Sequence, residues 1–344
     1  MRKVDLETHF ATQGWVDALF DNFQKDEYPR FERDRESGNL RLCYRPGACE
    51  PCGDAVVAKL LDLGEGRLDQ MDAAGIDLAV ISLTAPGVEQ FEPALAIKLA
   101  REANDALAEA IDKHPDRYQG FAALPTQEPA AAAAELERAV RELGLRGWKT
   151  HCNYGDSYLD DKRYWPVLAK AEELGITIYL HPTVPNIPEY WTYGIALAGA
   201  PFGFGEATAL AMMRLVLSGA FDAFPRLQII LGHYGEGLPF QMHRIDWAFR
   251  RPHVKSDKQA LVALKKVPSQ YLRDNMTVTT SGNYLPAAFK CTREALGMDK
   301  IMLGTDHPYE DMTECVDFLE SLALSADEKT MLYSANAERL GIVD

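Results

Sequence analysis

The chain has 344 residues, with 36 Lys and Arg against 51 Asp and Glu, a formal net charge of −15 at pH 7. That charge disfavours nucleic acid or an anionic membrane surface as the main partner, because long-range repulsion opposes encounter. Hydrophobic residues at 47% and charged residues at 25% are ordinary globular proportions, which exclude a mostly disordered chain and allow a large core.

The predicted elements, in chain order, are eight short apolar runs at 4–9, 78–83, 119–124, 145–151, 176–181, 227–232, 276–281 and 300–305. Segments with helical periodicity separate them, at 93–112, 128–143, 164–174, 206–221, 238–249, 285–296 and 312–322. Eight strands alternating with helices fit either an open doubly wound sheet or a parallel barrel. Glu7, His9, His151, His181, His233 and Asp306 all fall at or just past the end of a run. Only in a barrel do such ends converge on one face, so the expected fold is α/β, a single (β/α)8 TIM-type barrel over residues 1–344. Two insertions are expected, after the first and fifth strands: 11–65, a lid region with little clear periodicity, and 182–205, rich in proline and aromatics.

No apolar run reaches the ~18 residues of a membrane-spanning helix. The start, Met1-Arg2-Lys3-Val4-Asp5-Leu6-Glu7, has acidic residues where a signal peptide needs its apolar centre. A cytoplasmic location is expected, with the six cysteines as thiols; Cys49 and Cys52 have CxxC spacing but no second pair to complete a zinc site.

The candidate chemistry begins with Glu7-Thr8-His9. On a strand of period two, residues 7 and 9 share a face, so a carboxylate and an imidazole can approach one ion. His181 closes the fifth run before Pro182, and Asp306 closes the eighth. Each alone reads as structural; together, two imidazoles and two carboxylates form a donor set suited to one divalent ion, Zn²⁺ or Mn²⁺. In Gly232-His233-Tyr234-Gly235-Glu236-Gly237, the glycines allow a sharp turn after a strand, and Glu236 can orient His233 as an acid/base pair or favour the start of the next helix.

Val4-Asp5-Leu6-Glu7-Thr8-His9-Phe10, Tyr179-Leu180-His181-Pro182, the segment 229–239, Arg244-Ile245-Asp246, Thr279-Thr280-Ser281-Gly282-Asn283 and Thr305-Asp306-His307-Pro308-Tyr309-Glu310 together resemble the motifs of a family. It is the amidohydrolase-superfamily branch of non-oxidative decarboxylases, and the similarity, over about residues 2–341, is greatest to its γ-resorcylate decarboxylase members. The resemblance implies a distorted (β/α)8 barrel, a metal held by Glu7, His9, His181 and Asp306, and an acid/base pair of His233 and Glu236. It further implies Asp306 as proton donor to the ring carbon, no organic cofactor, and a homodimer or homotetramer acting on a small aromatic carboxylate. Arg244 would pair with the substrate carboxylate; Phe10, Trp15, Tyr309 and the 182–205 aromatics would clamp the ring, and Asn283 and His307 would contact it. His243 and His307 depart from the family pattern, which has tryptophan at the first and Trp or Ser at the second. Lys149 and His151 differ as well; elsewhere in the superfamily a strand-four lysine bridges two metals. The rival expectations are a hydrolase or hydratase of a small cyclic or unsaturated acid on the same metal, and a non-catalytic barrel.

Overall fold

The structure is a computed structural model that describes residues 1–255 and 262–344. Eleven strands are present among these residues: β1 (Val4–Phe10), β2 (Arg30–Arg33), β3 (Leu40–Arg45), β4 (Ala48–Pro51), β5 (Leu78–Leu83), β6 (Tyr118–Ala122), β7 (Gly147–His151), β8 (Thr177–His181), β9 (Gln228–Leu231), β10 (Met276–Thr279) and β11 (Ile301–Met302). Eight of them form a parallel sheet in the order β1-β5-β6-β7-β8-β9-β10-β11. The ring closes between its ends: Leu6 N–H donates to Leu303 O at 2.9 Å, Asp306 N–H to Glu7 O at 2.8 Å and His9 N–H to His307 O at 2.8 Å. This is the expected (β/α)8 barrel.

Between the strands lie helices at Pro93–Lys113, Pro129–Arg141, Trp165–Leu174, Gly203–Leu217, Leu238–Phe249, Pro286–Leu296 and Met312–Ser321. Their alanine-rich and straight-chain interiors suit a helix, and one face of each is buried against the sheet. No helix among the described residues is long and apolar enough to cross a membrane.

Inside the ring, Leu6, Val80, Phe121, Tyr179, Ile230 and Met302 pack into one cluster although they come from six strands. Residues so distant in sequence meet only in the barrel interior, and they form the apolar floor beneath the polar strand ends. The β1–β5 register shifts between Asp5 and Thr8, where β1 passes from Leu6 in the floor to Glu7.

The region 11–65 is more ordered than its sequence pattern suggests. It holds a helix at Gln13–Lys25, whose Thr12 cap accepts from Trp15 N–H at 3.2 Å, an antiparallel sheet β2-β3-β4, and a helix at Asp54–Leu61. One further expectation is corrected here. Cys43 pairs with Cys49 across β3 and β4 and the two are disulfide-bonded, so they are not free thiols; Cys52 stays free. The strand register brings Cys43 opposite Cys49, whereas Cys52 lies beyond the ladder.

Asp5 ties β1 to the chain after β11. Its carboxyl accepts from Glu7 N–H at 3.1 Å and Thr305 N–H at 3.0 Å, and it is also bonded to the Thr305 hydroxyl. Burial outweighs these contacts and pushes Asp5 up to about 7 from its ordinary 3.8. Between those two values the folded protein keeps a proton that the unfolded chain has released, so metal-free stability falls as pH rises from about 4 to about 7. Asp5→Asn, which retains the acceptor and a donor to Thr305, is expected to flatten that slope in urea unfolding at several pH values.

Candidate metal centre

Glu7, His9, His181 and Asp306 meet at the C-terminal end of the barrel, each offering one ligand atom, with all four atoms within 4.8 Å of one another. His9 Nε2 lies 2.7 Å from Asp306 Oδ1, and His181 Nε2 lies 3.7 Å from Glu7 Oε1 and 3.9 Å from Asp306 Oδ1. Three of the residues are buried. His181 Nδ1 sits 2.7 Å from Pro182 O, and because a carbonyl only accepts, Nδ1 carries the proton and Nε2 is the basic nitrogen. That Nε2 and Glu7 Oε1 are both buried without a hydrogen-bond partner. Orphaned acceptors pointing at one another are costly without a shared cation, so the residues fit a divalent ion.

The surrounding groups hold the ligands in place. Glu7 Oε2 accepts from Thr279 Oγ1 at 2.7 Å and from the Ser281 hydroxyl. Lys149 Nζ lies 3.0 Å from His9 Nδ1 and donates to Leu83 O at 2.9 Å. Burial pushes His9 down to about 3 and Lys149 down to about 7, so the imidazole is neutral, the form that binds a cation. Burial opposes the Asp306 carboxylate, but contact with His181, His233 and His9 outweighs it and holds the group well below 3.8. Lys149 thus contacts one ligand, and His151 turns to Glu89, with Nδ1 3.2 Å from its carboxylate.

His233 Nδ1 is 2.7 Å from Glu236 Oε1, and its Nε2 is 3.8 Å from Asp306 Oδ2. Glu236 therefore orients the ring, while the next helix starts beyond it at Leu238 with no acidic residue in its first turn. The pair meets because His233, Tyr234, Gly235, Glu236 and Gly237 all have positive φ, between 53° and 78°, an unbroken left-handed turn. Only two of the five are glycines, so three side-chain-bearing residues carry backbone strain. Asp306 also has a positive φ, 61°. Burial alone would lower the His233 pKa, but the Glu236 and Asp306 carboxylates hold it well above 6.5. Gly304 allows the last strand to approach, since a Cβ there would sit 2.6 Å from Thr279 Cβ and 3.1 Å from Glu7 Cβ.

A cavity of about 670 Å³ opens over this cluster, lined by His181, His233, Glu236 and Asp306 and by Asn283, Tyr309, Phe202 and Phe204. Tyr309 Oη lies 2.6 Å from Thr84 Oγ1. Other expected substrate contacts lie elsewhere. Phe10 and Trp15 are 1% exposed and belong to the core; the Trp15 indole N–H donates to Gly87 O at 2.8 Å. His307 is buried and outside the lining. Arg244 is exposed on the Leu238–Phe249 helix, where it stacks over Trp247 at 4.9 Å. Thr279 and Ser281 were legible only as part of a motif; their period-two spacing at a strand end was the signal that both face Glu7. A second group, Glu32 with Cys43 and Cys49, has its thiols tied in the disulfide and is not a metal site.

A (β/α)8 barrel with two imidazoles, two carboxylates and an acid/base pair at its C-terminal face defines a metal-dependent enzyme scaffold. The chain belongs to the Amidohydrolase family, whose model matches residues 5–340. It is 36% identical over 347 residues to a gamma-resorcylate decarboxylase of Polaromonas sp. JS666, covering 98% of each chain. Among solved structures it resembles 5-carboxyvanillate decarboxylase LigW from Sphingomonas paucimobilis, with a TM-score of 0.89, 33% identity and full coverage of both chains. It also resembles a dihydroxybenzoic acid decarboxylase from Polaromonas sp. JS666 with bound manganese and the inhibitor 2-nitroresorcinol, with a TM-score of 0.82 and 34% identity over 98% of this chain and 96% of that one.

Ser281→Ala removes a donor that fixes Glu7, and manganese affinity measured by titration calorimetry is expected to fall ~10–100-fold with the fold intact.

Proposed function

We propose that this protein is a divalent-metal-dependent decarboxylase of a hydroxylated benzoate, releasing CO2 without oxidation by protonating the ring carbon that bears the carboxylate. The observation that carries the reading is the convergence of Glu7, His9, His181 and Asp306 within 4.8 Å, beside the His233–Glu236 pair. The full-length relatives named above support the reaction type. The mixed nitrogen and oxygen donor set accepts Zn²⁺ or Mn²⁺, and the manganese in the Polaromonas structure supports Mn²⁺. When bound, the ion supplies a positive charge that orients and polarises the anionic oxygens of the substrate.

Asp306, a carboxylate in the free enzyme, accepts the proton of the ortho-hydroxyl and passes it to the ring carbon; its low pKa makes it a strong acid once protonated. The C–C bond then breaks, CO2 leaves and its electron pair restores the aromatic ring. His233, protonated and held by Glu236, stabilises the phenolate and returns a proton to it. Protonating the ring provides the electron sink, so no organic cofactor is required. Tyr309, Phe202 and Phe204 flank the ring and Asn283 stands at the cavity wall.

Arg244 sits outside the cavity lining of a single chain, on the helix face that also exposes Phe240 (82%) and Trp247 (44%). Exposed aromatics of this kind support assembly of copies through this face, as a homodimer or homotetramer in which Arg244 meets the substrate carboxylate. The region 11–65 acts as a lid over the site.

Manganese-loaded protein is expected to release CO2 from an ortho-hydroxybenzoate without consuming oxygen. In D2O the product should carry one deuterium where the carboxylate was, seen by NMR. Solvent ¹⁸O in the product, the signature of a hydrolase or hydratase, would falsify this reading. His233→Ala should lower kcat ~10²–10⁴-fold while metal content stays unchanged.

A further inference from the structure

One wall of the cavity is built by the inserted hairpin rather than by the barrel. In the β3–β4 register Leu42 faces Glu50 and Cys43 faces Cys49. The two-residue period then puts Leu42, Tyr44, Glu50 and Cys52 on one face, and all four line the cavity. The Cys43–Cys49 disulfide lies between them on the opposite face and locks this register.

Glu50 is the polar group of that wall. The Tyr44 hydroxyl donates to its Oε1, and among the described residues no other side chain bonds to Glu50, which leaves Oε2 for a ligand. Among the described residues no Lys or Arg lines the cavity, whose other carboxylates are Glu206, Glu236, Asp306 and Glu310. His233 is already held by Glu236, so a second anionic group on a substrate beside Glu50 would enter a low-dielectric space with carboxyls around it and, among the described residues of the same copy, no lysine or arginine to meet it. Burial pushes Glu50 up to about 7, against the lowering effect of the Tyr44 hydrogen bond.

We propose that Glu50, positioned by Tyr44, determines substrate choice: it accepts a hydrogen bond from a neutral donor on the ring, a second hydroxyl or an amino group, and rejects a second carboxylate. This deepens the decarboxylase reading and rests on it. Overall fold does not make the distinction, since the similar structures include enzymes named for a dihydroxybenzoate and for 5-carboxyvanillate, which carries two carboxylates.

The test compares manganese-loaded wild type, Glu50→Gln and Tyr44→Phe on salicylate, the four dihydroxybenzoates that keep its 2-hydroxyl, and 4-hydroxyisophthalate. Both kcat/KM for CO2 release and Kd by calorimetry are read. In the wild type at least one dihydroxybenzoate should exceed salicylate by about 10–100-fold and 4-hydroxyisophthalate should fall below it. Glu50→Gln, nearly isosteric, should shrink the dihydroxybenzoate advantage and bring 4-hydroxyisophthalate close to salicylate. Tyr44→Phe, which leaves Glu50 unpositioned, should give an intermediate ranking. A wild type that prefers 4-hydroxyisophthalate, or a ranking identical in wild type and Glu50→Gln, overturns the proposal. If no compound releases CO2 but the Kd ranking holds, the decarboxylase reading fails and the role of Glu50 stands.

Discussion

Two carboxylates and two imidazoles share a buried space at the end of the barrel, and the rest of the molecule is arranged around that concentration of unpaired acceptors. Removing Glu7 and Asp306 from water is costly unless positive charge joins them. The chain supplies part of it through Lys149 and His233, but Glu7 Oε1 and His181 Nε2 remain without partners. A divalent cation completes the set. The donors from Thr279, Ser281 and Lys149 and the acceptor Pro182 O then have a clear purpose, because each fixes a ligand residue before the ion arrives and so reduces the reorganisation that binding requires.

Backbone strain is concentrated at the same place. Left-handed residues run without interruption through His233, Tyr234, Gly235, Glu236 and Gly237 and recur at Asp306. A side-chain-bearing residue in this region costs of order 1 kcal/mol or more, which persists only where the surrounding packing over-determines the conformation. Here the turn sets His233 Nδ1 on Glu236 and points Nε2 at Asp306, linking the acid/base pair to a metal ligand. The apolar floor of Leu6, Phe121, Tyr179 and Ile230 below, and the closure of β1 on the chain after β11, supply the rigidity against which the strain is held.

The inserted hairpin adds a wall to the cavity that the barrel itself does not supply. The barrel contributes ligands and proton chemistry, whereas the face of β3–β4 contributes an acid, Glu50, in contact with the same cavity. Changing the residues of that face alters what the site accepts without disturbing the ligand set, which is the general advantage of placing function on loops above a fixed framework.

The barrel and its ligand set were legible in the sequence because buried parallel strands are continuous apolar runs and the polar residues at their ends stand out against them. The eight runs match the eight barrel strands, and Glu7, His9, His181 and Asp306 stood out for that reason. The hairpin was not legible: Arg30–Arg33 and Leu40–Arg45 are short and interrupted by charged residues, so neither carries the long apolar run of a barrel strand. Phe10 and Trp15, aromatics close in sequence to the ligands, proved to face the core, because proximity along the chain does not decide the direction of a side chain. What only the tertiary structure decided is pairing across distance: Cys43 with Cys49, Ser281 with Glu7, Glu50 with Tyr44. Such pairs depend on strand register and barrel closure, which arise from the packing of the whole chain and leave no local pattern in the order of its residues.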